Sequence, residues 1–320
     1  MALGGGHVAR CATLAQALVQ QGAEVRFLCR TLPGHFCDWL EAAGFSVVRM
    51  QEKFSDLNQD LSETRNILLS LGKIDWLVID HYGLNISWEK SLRSVVKQIM
   101  VIDDKADREH DCDLLLDQNY FNNALKRYYG LVPSSCRTLL GPRYALLRDD
   151  FLKRRNQLLP RNGKSSRLLI CFGATDPAGH TFAALDAVSR DAGMFDHIDV
   201  VTTPKNHSAP LLFKRCSGLS NVYFHSPADD FIGLIAAADL AIGAGGTMNW
   251  ERACLGLPTI AFGIVDNQES VLAPLIRDGI VLGQPSMPKP NSDLIAAWVK
   301  VAIANPNLLQ GLSARSATLV

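Results

Sequence analysis

The stretch "AIGAGGTMNWERACLGLPTIAFGIVDNQES", residues 241–270, decides how this chain folds. Its first residues complete the apolar run "DLAIG" (239–243), which has the length and bounds of a buried strand. Gly243, Ala244, Gly245 and Gly246 follow, then Thr247 at an N-cap position, then a helical segment that carries Glu251 one turn in. "PTIAF" (258–262) is the next strand, and it ends in a polar loop of Asp266, Asn267, Gln268 and Glu269. Two strands joined through a helix are parallel, because a parallel pair needs a long crossover.

The same alternation extends in both directions. Toward the carboxyl half, strands are expected at "RLLICF" (167–172), "HIDVVT" (197–202) and "NVYF" (221–224). Toward the amino terminus they are expected at "EVRFLC" (24–29), "SVVRM" (46–50), "DWLVID" (75–80), "QIMVID" (98–103), "DLLLD" (113–117) and "TLLG" (138–141). Helical periodicity fills several gaps between them, as from Val8 to Gln20 and from Leu57 to Leu69. Continuous apolar strands alternating with helices predict an α/β protein of parallel sheets covered on both faces. The pattern breaks once, at "RDDFLKRRNQLLPRNGKSSR" (148–167), which is charged, holds a proline and a glycine, and has no strand run. Two α/β domains are therefore expected, about 1–150 and 160–320, with a cleft between them that gathers the loops at the strand ends.

Composition narrows the partners. The 320 residues carry 32 Lys plus Arg against 32 Asp plus Glu, so net charge gives no reason to expect nucleic acid or an anionic membrane. No apolar run approaches the roughly 20 residues of a membrane-spanning helix, and the first residues do not follow a secretory pattern. The eight cysteines are scattered without a C-x-x-C pair and read as reduced residues of a cytoplasmic protein. No metal-ligand spacing stands out, so neither metal nor cofactor is expected.

Four segments carry chemistry. The opening "GGGHVARC" (4–11) sets Gly4, Gly5, Gly6 and His7 before a helix, where the dipole favours a neutral imidazole, the form a general base needs. It also reads as a flexible terminus with an incidental histidine. "VIDHYGL" (78–84) puts Asp80, His81 and Tyr82 at the carboxyl edge of a strand, or is merely a strand end turned by Gly83. "CFGATDPAGHT" (171–181) ends a strand in small residues, with Asp176 or Thr175 as cap and Pro177 at the first helical position. It fits a phosphate contact around Gly173, or a tight turn. In 241–270 the free N–H groups at Thr247 suit a diphosphate, and Glu251 suits two vicinal ribose hydroxyls, or serves only as a first-turn acid.

Read together, "GGGHVARC", "IDHYGL", "GLVPSSCRTLLGPRYALLRDDF", "CFGATDPAG" and "GGTMNWERACLGLPTIAFGIVDNQE" resemble the UDP-2,4-diacetamido-2,4,6-trideoxy-β-L-altropyranose hydrolases of pseudaminic acid biosynthesis. The resemblance runs to about residue 285. It implies the two-domain GT-B fold of MurG-like transferases, two Rossmann-like doubly wound parallel sheets, and cleavage of a UDP-sugar by water with inversion. By matching motif it makes His7 the catalytic base and Tyr82 a substrate contact. Glu251 becomes the ribose ligand and Asn267 a sugar or phosphate contact. Gly5, Gly6, Arg143, Gly173, Gly245, Gly246, Thr247 and Gln268 join the substrate-binding set. A monomer without nucleic-acid or membrane partners is implied.

The chain departs from the family in two places. Ala174 stands where relatives often have glycine. The family's short strand and "R-x-D-x-S" stretch before the glycines are not present, so the first strand of the first domain is expected to be missing. Two other functions remain open at this point: a MurG-like UDP-sugar glycosyltransferase, and an inactive nucleotide-sugar binding protein.

Overall fold

The computed structural model describes residues 5–50, 56–190, 193–265, 268–286 and 289–320. The chain divides into two compact units, Met1–Leu146 and Leu147–Val320. The division falls just before the charged 148–167 stretch, whose first half folds as a helix of the second unit.

In the first unit the elements run α1 (Gly5–Gln20), β1 (Arg26–Arg30), α2 (Cys37–Ala42), β2 (Ser46–Met50), α3 (Leu57–Ser70) and β3 (Ile74–Ile79). They continue as α4 (Ile86–Leu92), β4 (Val96–Ile102), β5 (Leu114–Asp117), α5 (Ala124–Arg127) and β6 (Arg137–Leu140), ending in a 3₁₀ turn, Pro142–Tyr144. All strand pairs are parallel, but they form two separate sheets, β1-β2 and β3-β4-β5-β6. Among the described residues β1 pairs only with β2 and β3 only with β4. Burial follows: β4 and β5 are largely buried, whereas Trp76 on β3 is 44% exposed and no residue of β1 is fully buried.

The second unit comprises α6 (Asp149–Arg155), β7 (Arg167–Cys171), α7 (His180–Ser189), β8 (His197–Val201), α8 (Ala209–Cys216), β9 (Val222–His225) and α9 (Phe231–Ala237). It continues with β10 (Leu240–Ala244), α10 (Met248–Cys254), β11 (Thr259–Phe262), α11 (Glu269–Arg277), β12 (Leu282–Gln284), α12 (Ser292–Ile303) and α13 (Pro306–Ala317). Its parallel sheet has the order β12-β11-β10-β7-β8-β9. Alternation sorts the strand residues between two cores. Leu168, Ile170, Ile198 and Val200 pack with Leu185, Val188, Ile295 and Val299 of α7 and α12. Leu169, Cys171 and Ala241 pack with Phe151, Ile235 and Cys254 of α6, α9 and α10. Helices on both faces make the strands apolar throughout, as the sequence runs indicated.

This order winds outward in both directions from β7 and β10, whose pairing sets Cys171 beside Gly243. Ligands of doubly wound sheets bind outside the carboxyl ends of strands at such a switch point. The loops after β7 and β10 both leave from it.

Candidate active site

In the first unit the chemistry gathers on one carboxylate. Helix α1 starts at Gly5, so Gly5, Gly6 and His7 form its first turn and not a loop ahead of it. A first turn tolerates glycine because its amides lack intrahelical partners anyway. A Cβ on Gly5 would lie 3.0 Å from the Phe36 ring. Gly4 lies outside the described residues. His7, Arg10 and Cys11, spaced i, i+3 and i+4, share a helix face and all reach Asp80, the residue after β3. The His7 Nδ1 is 2.6 Å from Asp80 Oδ1. Arg10 donates from Nη2 to Oδ1 and from Nε to Oδ2, each at 2.7 Å. The Cys11 thiol donates to Oδ2 at 3.4 Å, and Arg10 Nη1 also reaches Asp104 at 3.3 Å.

Burial of Asp80 works against its charge, but hydrogen bonds from Arg10 and His7, with the Arg10 charge, outweigh it and hold the carboxyl down at about 2. The same carboxylate, after burial, pushes the Cys11 thiol well up, so Cys11 is a neutral donor and not a nucleophile. An ionised oxygen at 2.6 Å from Nδ1 places the ring hydrogen on Nδ1. The lone pair of His7 is then on Nε2, the arrangement of a general base oriented by a carboxylate. Tyr82 meets the His7 ring edge-on, with centroids 4.8 Å apart, and Lys105 Nζ stands 5.1 Å from the Tyr82 ring centre. Arg143 lies exposed on the 3₁₀ turn after β6, outside this hydrogen-bond network.

In the second unit two loops leave the switch point. Gly173, with φ +100, turns the chain after β7, a conformation that L side chains rarely adopt. Asp176 does cap α7, accepting from His180 N and Thr181 N at 3.0 and 2.8 Å. The helix itself starts at His180 behind a left-handed Gly179, so Pro177 lies before it and not at its first position. Ala174 keeps its place through its carbonyl, which accepts from Thr203 Oγ1 at 2.7 Å.

After β10, Gly243 packs so closely that a Cβ would lie 2.2 Å from the Cys171 carbonyl oxygen, and at Gly245 one would lie 2.1 Å from Leu272 of α11. Both glycines thus have a packing reason as well as any ligand role. Gly246 faces the Gln268 amide nitrogen, while the Gln268 carbonyl oxygen accepts from Ile264 N at 3.0 Å. Thr247 occupies the N-cap position of α10, but its backbone is already helical and its hydroxyl makes no capping bond. Glu251 is half-buried; burial raises its carboxyl, opposed by the charges of Arg148 and Arg252. Arg252 is buried and donates to Ala244 O at 2.8 Å and Asn249 Oδ1 at 2.6 Å, which ties the glycine loop to α10. Burial lowers its guanidinium to about 10. Asn267 lies outside the described residues.

Sequence reasoning missed Arg10, Asp104 and Arg252. The signal for Arg10 was present: an arginine three residues after His7, on the apolar side of an amphipathic helix. Among the described residues no group of three His, Cys, Asp or Glu side chains is arranged to hold a metal ion, and no helix is long and apolar enough to cross a membrane.

Comparison with known proteins supports the fold and the resemblance. A family described as a protein of unknown function (DUF354) matches residues 193–276. An uncharacterized protein of Methanocaldococcus jannaschii is 27% identical over 81% of this chain, which spans 52% of that protein. The UDP-2,4-diacetamido-2,4,6-trideoxy-β-L-altropyranose hydrolase of Campylobacter jejuni is 27% identical over 87% of this chain and 93% of its own length. The crystal structure of Acinetobacter baumannii MurG superposes with a TM-score of 0.67 at 14% identity, over 98% of this chain and 92% of that one. The chain therefore has the GT-B fold, and the resemblance to the altropyranose hydrolases read from its motifs is borne out.

Proposed function

We propose that this protein hydrolyses UDP-2,4-diacetamido-2,4,6-trideoxy-β-L-altropyranose to UDP and the free sugar, by inverting attack of water at the anomeric carbon. The observation that carries this reading is the His7–Asp80 contact at 2.6 Å, with Asp80 held ionised by Arg10. His7 Nε2 takes a proton from water as the water oxygen bonds to the anomeric carbon. The bond from that carbon to the diphosphate oxygen breaks, and its electron pair leaves with UDP. UDP is a weak base, so its departure needs charge stabilisation more than a proton. The N–H groups at Gly246 and Thr247 supply that stabilisation, and Glu251 accepts from the ribose hydroxyls. A single displacement inverts the centre. The C. jejuni relative of that name supports the substrate.

The test is acceptor-free incubation with the UDP-sugar, followed by proton NMR. Stoichiometric UDP and free sugar, with the inverted anomer formed first, is the expected result. Turnover only after an acceptor alcohol is added makes the protein a MurG-like transferase. UDP binding without turnover makes it a binding protein. Either outcome overturns the proposal.

A further inference from the structure

The turn after β3 carries a second histidine beside His7, and its ring is held in the opposite sense. His81 Nδ1 accepts a hydrogen bond from Gly83 N at 3.0 Å. A ring nitrogen that accepts a backbone N–H carries no hydrogen, so the neutral ring has its hydrogen on Nε2. In His7 the hydrogen is on Nδ1, given to Asp80. The two rings thus differ in chemistry: His7 offers a lone pair and His81 an N–H.

The surroundings fix this assignment. Arg108 donates from Nε to Leu84 O at 2.8 Å and from Nη2 to His81 O at 3.1 Å, so one half-buried cation pins both ends of the turn. Arg108 is itself paired with Asp103 at 2.9 Å. Gly83 leaves room for the ring: a Cβ there would lie 3.0 Å from His81 Cε1 and 3.4 Å from its Nδ1, so the ring would have to shift. Desolvation, with the charges of His7 and Arg108, keeps the His81 imidazole below its ordinary range, although Asp60 and Asp80 oppose this. A positive charge on Arg108, or on His7 once it has taken a proton from water, therefore disfavours a second proton on His81. His81 is an exposed residue, and the Gly83 amide occupies its Nδ1.

We propose that His81 is a substrate-binding residue, its neutral Nε2–H donating to a hydroxyl or amide carbonyl oxygen of the sugar whose anomeric carbon faces His7. This rests on the hydrolase reading for the identity of the ligand, but the tautomer assignment does not. A sugar with acetamido carbonyls and a ring hydroxyl offers several acceptors and needs fixed donors. His81, with its Nδ1 tied to the Gly83 amide, offers such a donor.

Two measurements on the full chain test this. In a long-range proton–nitrogen spectrum of protein labelled with nitrogen-15 in histidine, we expect a ring with bare Nδ1 and protonated Nε2. That signal is lost in His81→Gln and shifted in Gly83→Ala. A protonated Nδ1 at His81 overturns the proposal. With the UDP-sugar, His81→Ala should raise KM about 3- to 10-fold, the loss of one neutral hydrogen bond, and leave kcat within about twofold. His81→Gln, which keeps an N–H at the end of the side chain, should recover most of the KM. Unchanged KM in His81→Ala, or a collapse of kcat like that of a His7 variant, overturns it. If the unmodified protein does not turn over this sugar, the hydrolase reading fails separately. His81 is then judged by whether UDP-sugar shifts its Nε2–H signal: a shift supports the proposal and its absence contradicts it.

Discussion

At the scale of single residues, the account rests on His7 and on what surrounds it. Replacing His7 by Asn keeps a polar group of similar size but removes the basic nitrogen. The expected effect is a fall in kcat of roughly 10²–10⁴ with little change in KM, the range for a positioned base. Steady-state kinetics with the UDP-sugar would read it, and near-full activity would remove His7 from the mechanism. For Glu251 the proposal predicts an effect on binding and not on chemistry. Glu251→Ala should weaken UDP by about tenfold or more, since hydrogen bonds to a charged acceptor are worth about 1.5–3 kcal/mol. Calorimetric titration with UDP decides it, and unchanged affinity makes Glu251 a structural first-turn acid. His7, Asp80 and Tyr82 could be picked out because strand ends and helix starts are where sites form, and the sequence shows both. Arg10 carried a signal in its spacing from His7, but nothing in a one-dimensional pattern says which carboxylate an arginine on a helix will meet 70 residues away.

At the scale of elements, the strands were the most legible feature. Eleven apolar runs correspond to β1 through β11, most plainly where the strand is buried on both faces, as in β4, β5 and β7. β12 was missed: it is three residues, "LGQ", with a glycine in the middle, and carries no hydrophobic run. Helix starts were harder. Pro177 after Asp176 reads as a first helical turn, yet left-handed Gly179 delays α7 to His180. Asp176 caps from further back because its own φ of 35 turns its carboxylate toward the helix. Being buried and accepting two amides, it is no surface decoration. Asp176→Ala should cost about 1–2 kcal/mol, the upper part of the range for a lost cap. Urea unfolding followed by circular dichroism would show it, and a change within error would mean that water satisfies those two amides. The glycines after β10 teach the same lesson. Their sequence pattern suggested ligand approach, while Leu272 and the Cys171 carbonyl already forbid side chains at Gly245 and Gly243.

At the scale of the whole molecule, the division into two α/β units and the resemblance were legible. Charge balance gave no hint of how acid would act, because the decisive carboxylates are buried. Asp80, about 2 against 3.8 when unperturbed, contributes roughly 2–3 kcal/mol that is present above pH ~4 and lost as pH falls through 2. Asp117 has the opposite sign. Burial raises it to about 6, only partly offset by the Asn119 amide, Arg127 and Tyr128. Its contribution is therefore present below pH ~4 and lost as pH rises through 6. Asp117→Asn should flatten the pH 4–6 limb of the stability curve, measured by urea unfolding at stepped pH. An unchanged slope there would show that Asp117 is ionised throughout.

The most direct test of the central claim is turnover of the UDP-sugar in water enriched in oxygen-18, with no acceptor, followed by mass spectrometry of both products. Attack at the anomeric carbon by a water that His7 deprotonates predicts one heavy oxygen in the free sugar and none in UDP, with incorporation lost in His7→Asn. Label in the terminal phosphate of UDP, or no free sugar at all, would contradict the account.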